Sequence, residues 1–362
     1  MRHKIYIILI SLVFFGGKAP DKPSKYIPGS ERKKERLATP EEGTYLRPGA
    51  HIMLKELEDY MKHPEDHKVP SSWIRNIFVS PNRMVKDTVI SLEERMVPLR
   101  LYYPSKKSLQ GNQPVILFLH GGGFVFGSVE YYHVMASKIA RVSGRIVVSV
   151  EYSLAPDHPF PSGLIDCFTA LCWLQGHAAR IGADADRICL MGDSAGGNLA
   201  TVLTLMCRDR GRPQPMCQVL LYPATTFVED NRPSMVLFGY CKERIFVLDE
   251  DLMRRIKRDY LGETGDERDP YVSPLEGDLS PDLAPALIIT AECDPLRDDG
   301  REYAKRLKES GVRTEHIEYS GMIHGFMSFH MIFREGVKAM KYTSHFIEES
   351  ERYSSQMAWI SE

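Results

Sequence analysis

Gly192-Asp193-Ser194-Ala195-Gly196 reads G-x-S-x-G, a spacing that can turn a serine hydroxyl into a nucleophile. The chemistry depends on what surrounds it. Arg187-Ile188-Cys189-Leu190-Met191 before it is apolar enough for a buried strand. After it, Leu199, Val202, Leu203, Met206 and Cys207 fall on one helix face at i, i+3, i+4, i+7, i+8 spacing. Strand, sharp turn and helix together push the central serine out at the end of a sheet. Glycines flank it because strand and helix approach too closely there for neighbouring Cβ atoms. The competing reading is a plain glycine-rich turn.

A second segment supplies what such a nucleophile needs. His120-Gly121-Gly122-Gly123-Phe124 follows the apolar run Val115-Ile116-Leu117-Phe118-Leu119. Acyl transfer develops a negative oxygen, and backbone N–H groups fixed in advance stabilise it well. Consecutive glycines let main chain come close without side-chain clash. Ala195, Gly121 and Gly122 are the expected oxyanion donors. A flexible loop is the alternative. A dinucleotide fingerprint is not supported, because Phe124-Val125-Phe126 lacks the third glycine at the required offset.

A serine also needs a base, and the base an orienting acid. In the strand–turn–helix setting these follow in the order Ser, acid, His. The downstream histidines are His316, His324, His330 and His345. His324 lies in Gly321-Met322-Ile323-His324-Gly325-Phe326, a glycine-flanked loop after the strand-like run from His316 to Tyr319. His316 belongs at the other end of that strand, and His330 and His345 fall in or near an amphipathic helix. For the acid, Ala286-Leu287-Ile288-Ile289-Thr290-Ala291 reads as a strand delivering Asp294 to the active edge. Glu292 is the reserve candidate. Asp298 and Asp299 read as helix-start carboxylates that cap free N–H groups.

Taken together, His120–Gly123, Gly192–Gly197, Asp294-Pro295-Leu296-Arg297-Asp298 and His324-Gly325-Phe326 resemble the hormone-sensitive-lipase-like branch of the α/β-hydrolase superfamily. That branch holds many bacterial carboxylesterases and the arylacetamide deacetylases. The resemblance runs from about Asp87 onward and takes in Leu154-Ala155-Pro156 and Asp269-Pro270-Tyr271-Val272-Ser273-Pro274. It implies an α/β-hydrolase fold and a triad of Ser194, Asp294 and His324. One departure stands out. The branch usually has Tyr-Arg-Leu-Ala-Pro-Glu, where this chain has Tyr152-Ser153-Leu154-Ala155-Pro156-Asp157. The missing arginine implies weaker support for the oxyanion loop. Two other functions share the fold: amide cleavage of the arylacetamide-deacetylase type, and non-catalytic ligand reception as in plant gibberellin receptors, which lack the catalytic histidine.

The elements that must position these residues are legible as well. Short, continuously apolar runs at Val115, Ile146, Ile188, Val219 and Leu287 read as strands buried on both faces with helices between them. Residues 87–103 read as a pair of strands around Leu92-Glu93-Glu94-Arg95. The expected fold class is α/β: a mostly parallel central sheet, helices on both faces and a helical cap. The regular alternation breaks between Phe227 and Pro285, so 87–226 and 286–362 read as the core and 227–285 as an insertion, which the resemblance implies is a cap and which is otherwise a surface excursion. In that insertion Asp249 reads as an N-cap, Met253, Ile256 and Tyr260 share a face, and Gly262 reads as a stop. Ahead of the core lie cap helices in 48–86, a polar linker in 20–47 and a segment 1–19. In that segment Arg2, His3 and Lys4 precede the apolar run Ile5–Phe15, as in a signal peptide or N-terminal anchor.

Composition bounds the rest. At 362 residues and 43% hydrophobic, the chain can bury a large core. A net charge of −2 offers nothing to nucleic acid. Seven cysteines at irregular spacing form neither a disulfide framework nor a zinc site and read as small buried hydrophobes. The motifs and the branch they resemble therefore predict a serine carboxylesterase that acts on short- to medium-chain esters of small molecules, without metal or organic cofactor. It is expected to be exported or membrane-anchored, with a cytoplasmic enzyme as the alternative.

Overall fold

The computed structural model describes residues 84–92, 94–105, 111–228, 232–236, 248, 250–330 and 333–361, with side chains through 354. The segment 1–19, the linker 20–47, the helices expected before residue 84 and the N-cap at Asp249 lie outside the described residues.

Strands β1 (Val85–Leu92) and β2 (Arg95–Tyr102) form an antiparallel hairpin in register from Val85 opposite Tyr102 to Leu92 opposite Arg95. Then follow β3 (Gln113–Leu119), helix α1 (His133–Ser143), β4 (Ile146–Val150), α2 (Ser162–His177), β5 (Ala183–Asp193) and α3 (Ala195–Asp209). The chain continues through β6 (Cys217–Leu221), α4 (Glu250–Leu261), β7 (Ala286–Cys293), α5 (Arg297–Glu309), β8 (Thr314–Ile323) and α6 (Arg334–Ser361). The eight strands lie in one sheet in the order β1-β2-β4-β3-β5-β6-β7-β8, and every pair from β4 to β8 is parallel.

The apolar runs form the middle of this sheet because helices cover both faces. Alternate residues of one strand enter opposite cores. Leu117 and Leu119 pack with α2, α3 and α5 through Leu171, Leu203 and Leu307. Ile116 and Phe118 pack with α1 and α6 through Ile139, Met340 and Phe346. A strand buried on both sides cannot alternate apolar with polar residues, which is why these segments read as unbroken runs. The described cysteines are all free, and only Cys172 among them is not fully buried.

Strand order also locates the crevice. From β3 the chain crosses to β4 on one side, then returns past β3 to β5 on the other. Loops diverge at such a reversal, leaving a crevice at the carboxyl ends of the strands. The glycine loop after β3 and Ser194 after β5 both open there. Between β6 and β7 the chain leaves the sheet, and α4 lies in this excursion. Gly262 takes a left-handed φ of 62° and ends α4 where a stop was expected. Among the described residues no helix is long and apolar enough to cross a membrane.

Candidate active site

Ser194 stands between β5 and α3 with φ 55° and ψ −118°. A non-glycine residue with this φ is strained and persists only where its surroundings over-determine it. Here they do. Its N–H donates to the Leu221 carbonyl at 2.8 Å, and its own carbonyl accepts from Asn198 at 3.1 Å and Ala224 at 3.3 Å. Gly196 has to be glycine, because a Cβ there would overlap the carbonyl of Leu119 at the end of β3.

Ser194 Oγ lies 2.9 Å from His324 Nε2, and His324 Nδ1 lies 2.8 Å from Asp294 Oδ2. Ser194, Asp294 and His324 thus meet although 130 residues separate serine from histidine. Asp294 is fully buried, and its other oxygen accepts the Leu296 N–H at 2.8 Å. Its carboxylate has a fixed orientation as a result, and it faces the imidazole with an acceptor. That fixes the proton on Nδ1 and leaves Nε2 free to take one from the serine. Glu292, the reserve acid, does not reach His324. It accepts the Gly321 N–H at 2.6 Å and so pins the loop that carries the histidine. His316 bonds Thr290 within the sheet, and His330 sits against the Met327 carbonyl. His120 is fully buried and stacked on Tyr152 at 4.2 Å. Burial pushes its pKa down to about 4, so it stays neutral.

The glycine loop requires a correction. Gly121 N–H does not point to an open site. It donates to Asp193 Oδ1 at 2.8 Å, in a buried bond. The amide groups of Gly122, Gly123 and Ala195 have no such partner among the described residues. The carbonyls opposite them explain why. In a trans peptide the N–H points opposite to the C=O, so holding one aims the other. His120 O accepts the Tyr152 hydroxyl at 2.6 Å. Gly121 O lies 2.8 Å from His120 Nδ1, and Gly122 O accepts the Phe126 N–H at 2.8 Å. Three successive carbonyls are thus held, and the amides of Gly122 and Gly123 have no partner among the described residues. Gly122 has φ 117°, and a Cβ there would overlap Phe126 O. The unpartnered amides of the loop are therefore those of Gly122 and Gly123, where Gly121 and Gly122 were expected. The pattern of glycines does not reveal this, because all three are the same type.

Two further expectations change. Ser153 does not leave its segment unsupported. Its N–H donates to Asp166 Oδ2 at 2.8 Å, and Arg95 of β2 pairs with the other oxygen of Asp166 and donates to the Ser162 carbonyl. An arginine from a distant strand thus ties down the chain at Ser153, and Ala155 N–H in turn donates to Phe124 O at 2.9 Å. Asp298 and Asp299 do begin α5, but they do not cap it. Asp298 accepts the Ser234 N–H at 2.8 Å, while Asp299 accepts the Thr225 N–H at 3.1 Å and ion-pairs with Arg232. They fasten the chain that leaves β6 to the helix that follows Asp294.

Above the triad lies a cavity of about 320 Å3. Its apolar wall includes Phe124, Phe126, Phe227, Met253, Ile256 and Phe329, and Ser194 and His324 open into it. Helix α4 seals one side: the Tyr260 ring stacks on Phe124 at 3.8 Å. Among the described residues no cluster of His, Cys, Asp and Glu is arranged to hold a metal ion.

The alpha/beta hydrolase fold family matches residues 116–328. The chain belongs to that family. Its relatives lie in the branch its motifs resemble. It is 34% identical over 307 residues to carboxylesterase NlhH of Mycobacterium tuberculosis, covering 80% of this chain and 93% of that protein. It is 35% identical over 240 residues to an ethyl acetate hydrolase of Pseudomonas putida, covering 66% of this chain and 74% of the relative. A solved esterase from the archaeon Pyrobaculum calidifontis superposes with a TM-score of 0.73 at 36% identity, over 84% of this chain and 99% of that one.

Proposed function

We infer that the chain hydrolyses short- to medium-chain carboxylic esters through an acyl-enzyme on Ser194. Its class, a carboxylic ester hydrolase, rests on carboxylesterase relatives that match over most of their length. The observation that carries the mechanism is the unbroken path Ser194 Oγ, His324 Nε2, His324 Nδ1, Asp294 Oδ2, at 2.9 and 2.8 Å. Ser194 Oγ attacks the ester carbonyl while its proton passes to His324 Nε2. Asp294 stabilises the imidazolium that forms. The carbonyl oxygen becomes an oxyanion within reach of the Gly122, Gly123 and Ala195 amides, at the amino end of α3, where the helix dipole adds favourable potential. Collapse breaks the bond to the alcohol oxygen, which leaves with the proton from Nε2. Water then gives a proton to Nε2 and attacks the acyl-enzyme, and Ser194 recovers its proton as the acid departs. The histidine in hydrogen-bond reach of the serine speaks against a receptor that only binds.

Acyl preference follows from the cavity. Each buried CH2 contributes about 0.8 kcal/mol, so rates rise with acyl length until the wall formed by α4 and Phe227 is met. Overfilling a packed wall is then unfavourable. The test is kcat/KM on p-nitrophenyl esters from acetate to palmitate. A maximum between acetate and octanoate is expected. A steady rise to palmitate, with activation at an oil–water interface, overturns the chain-length reading. A phosphonate adduct on a serine other than Ser194 overturns the mechanism. The segment 1–19 supports a further proposal, export or membrane attachment, which fractionation of cells expressing the full chain tests.

A further inference from the structure

Asp193, the residue before Ser194, has no part in the triad, yet its surroundings are unusual. Its carboxylate is 2% exposed, and no lysine or arginine among the described residues pairs with it. Both of its bonds come from neutral donors: Gly121 N–H to Oδ1 at 2.8 Å and the Tyr132 hydroxyl to Oδ2 at 2.9 Å. A buried carboxylate held this way is costly, and a neutral side chain would fill the space at lower cost. The cost makes sense if the position must accept twice. A carboxylate accepts at both oxygens with its charge, whereas an asparagine keeps both contacts only if the Tyr132 hydroxyl reverses to accept, and its uncharged oxygen holds Gly121 N–H more weakly.

The peptide between His120 and Gly121 is what Asp193 controls. Tyr152 holds its carbonyl and Asp193 its N–H, so this one peptide plane is clamped from both sides. The next two peptides carry the free amides. Resting on the hydrolase reading of Ser194, we propose that Asp193 is a positioning residue: as an ionised double acceptor it fixes the first peptide of the glycine loop and thereby aims the Gly122 and Gly123 amides at the oxyanion.

A pH signature follows. Burial raises the Asp193 carboxyl to about 6. Protonation turns one of its oxygens into a donor, so the Tyr132 hydroxyl must reverse its bond, and the uncharged acid holds Gly121 N–H more weakly. The groups around it are Tyr131 and Tyr132 ahead of α1, Tyr152 after β4, Tyr222 after β6 and His324 after β8. Burial pushes all four phenols up, so they stay neutral. Protonating Asp193 therefore adds an acid limb to kcat.

Hydrolysis of p-nitrophenyl butyrate by the full chain, from pH 5 to 8, tests this, with kcat expressed per serine titrated by a phosphonate. For Asp193→Asn, kcat should fall about tenfold, because loss of the charge weakens the clamp on Gly121 N–H without removing it. KM should stay within about threefold, and the acid limb that Asp193 contributes should disappear. Tyr132→Phe removes one of the donors that favour ionisation, so its acid limb should move to higher pH. A merely structural role would lower the count of titratable serines and leave kcat per serine and the pH profile unmoved; that result overturns the proposal. If Asp193→Asn does not fold, Tyr132→Phe decides, and an unmoved acid limb overturns it. An active wild type with unaltered variants defeats only the role of Asp193. A wild type that hydrolyses no ester and takes no phosphonate defeats the hydrolase reading, and this inference with it.

Discussion

The nucleophile turn and the glycine loop face each other across the crevice, but they are held in place by different means. Ser194 is fixed by backbone: its N–H and carbonyl bond to Leu221, Asn198 and Ala224, and it joins β5 to α3 directly. The first peptide of the glycine loop is fixed by side chains from elsewhere, Asp193 at the end of β5 and Tyr152 after β4. Backbone bonds survive many side-chain changes. Side-chain clamps do not. The turn should therefore lose function when the reacting groups are removed or its close-packed glycines are filled, and the loop should also be vulnerable at side chains that never touch substrate.

The largest expected effect is at the turn. Ser194→Ala removes the nucleophile and should lower kcat about 10⁶-fold, with the melting temperature unchanged because every backbone bond around the serine remains. Activity near wild type in a folded Ser194→Ala protein would sink the mechanism. Asp294→Asn should cost about 10⁴-fold, because an amide facing Nδ1 favours the wrong tautomer. Glu292→Gln tests the contrast between the two acids. Glu292 touches Gly321 and not His324, so its loss should be far smaller. Equal losses at Asp294 and Glu292 would mean that orientation of the loop, not of the imidazole, is what the acid provides.

This difference also decides what could be read from the chain. The constellation of Ser194, Asp294 and His324 was legible because each member follows a strand-like run and the three stand in a known order. Strand ends are local features, and parallel strands deliver them to one edge. The turn was legible for the same reason. The donor set was not, because Gly121, Gly122 and Gly123 differ only in which partner each amide meets, and the partner that removes Gly121 lies 72 residues away. Asp298 and Asp299 mislead in the same way. They occupy the first turn of α5 as expected, but Ser234 and Thr225 reach them before the helix amides do. The gap left by Ser153 is met by Arg95, a compensation between distant strands that local spacing cannot reveal.

A smaller effect is expected within the loop itself. Gly122→Ala puts a Cβ into the Phe126 carbonyl at a φ of 117° that an alanine rarely adopts. The peptide must turn, and one oxyanion donor goes with it. Losing such a donor costs roughly 10²- to 10³-fold in kcat. The measurement is kcat against KM on one short ester: kcat should carry the loss. A loss confined to KM would mean that the loop binds the ground state and not the oxyanion.

Tyr152→Phe is the mildest probe and the sharpest on the comparison. The ring is buried and stacked on His120, and phenylalanine keeps both the volume and the stack. Only the hydroxyl is lost, and with it the 2.6 Å bond to His120 O. That carbonyl becomes a buried acceptor without a partner, at a cost of about 1–3 kcal/mol. The peptide keeps its second clamp at Asp193, so the amides of Gly122 and Gly123 are loosened and not lost. A fall in kcat of roughly threefold to tenfold is expected, since about 1 kcal/mol of transition-state stabilisation corresponds to a few-fold change in rate. KM should hardly move. Combining Tyr152→Phe with Asp193→Asn releases both ends of one peptide, and residues that share a partner couple in such cycles. The double variant should therefore depart from the product of the single effects. Simple multiplication would show that the two side chains act on separate features, and the single clamped peptide would then no longer explain the loop.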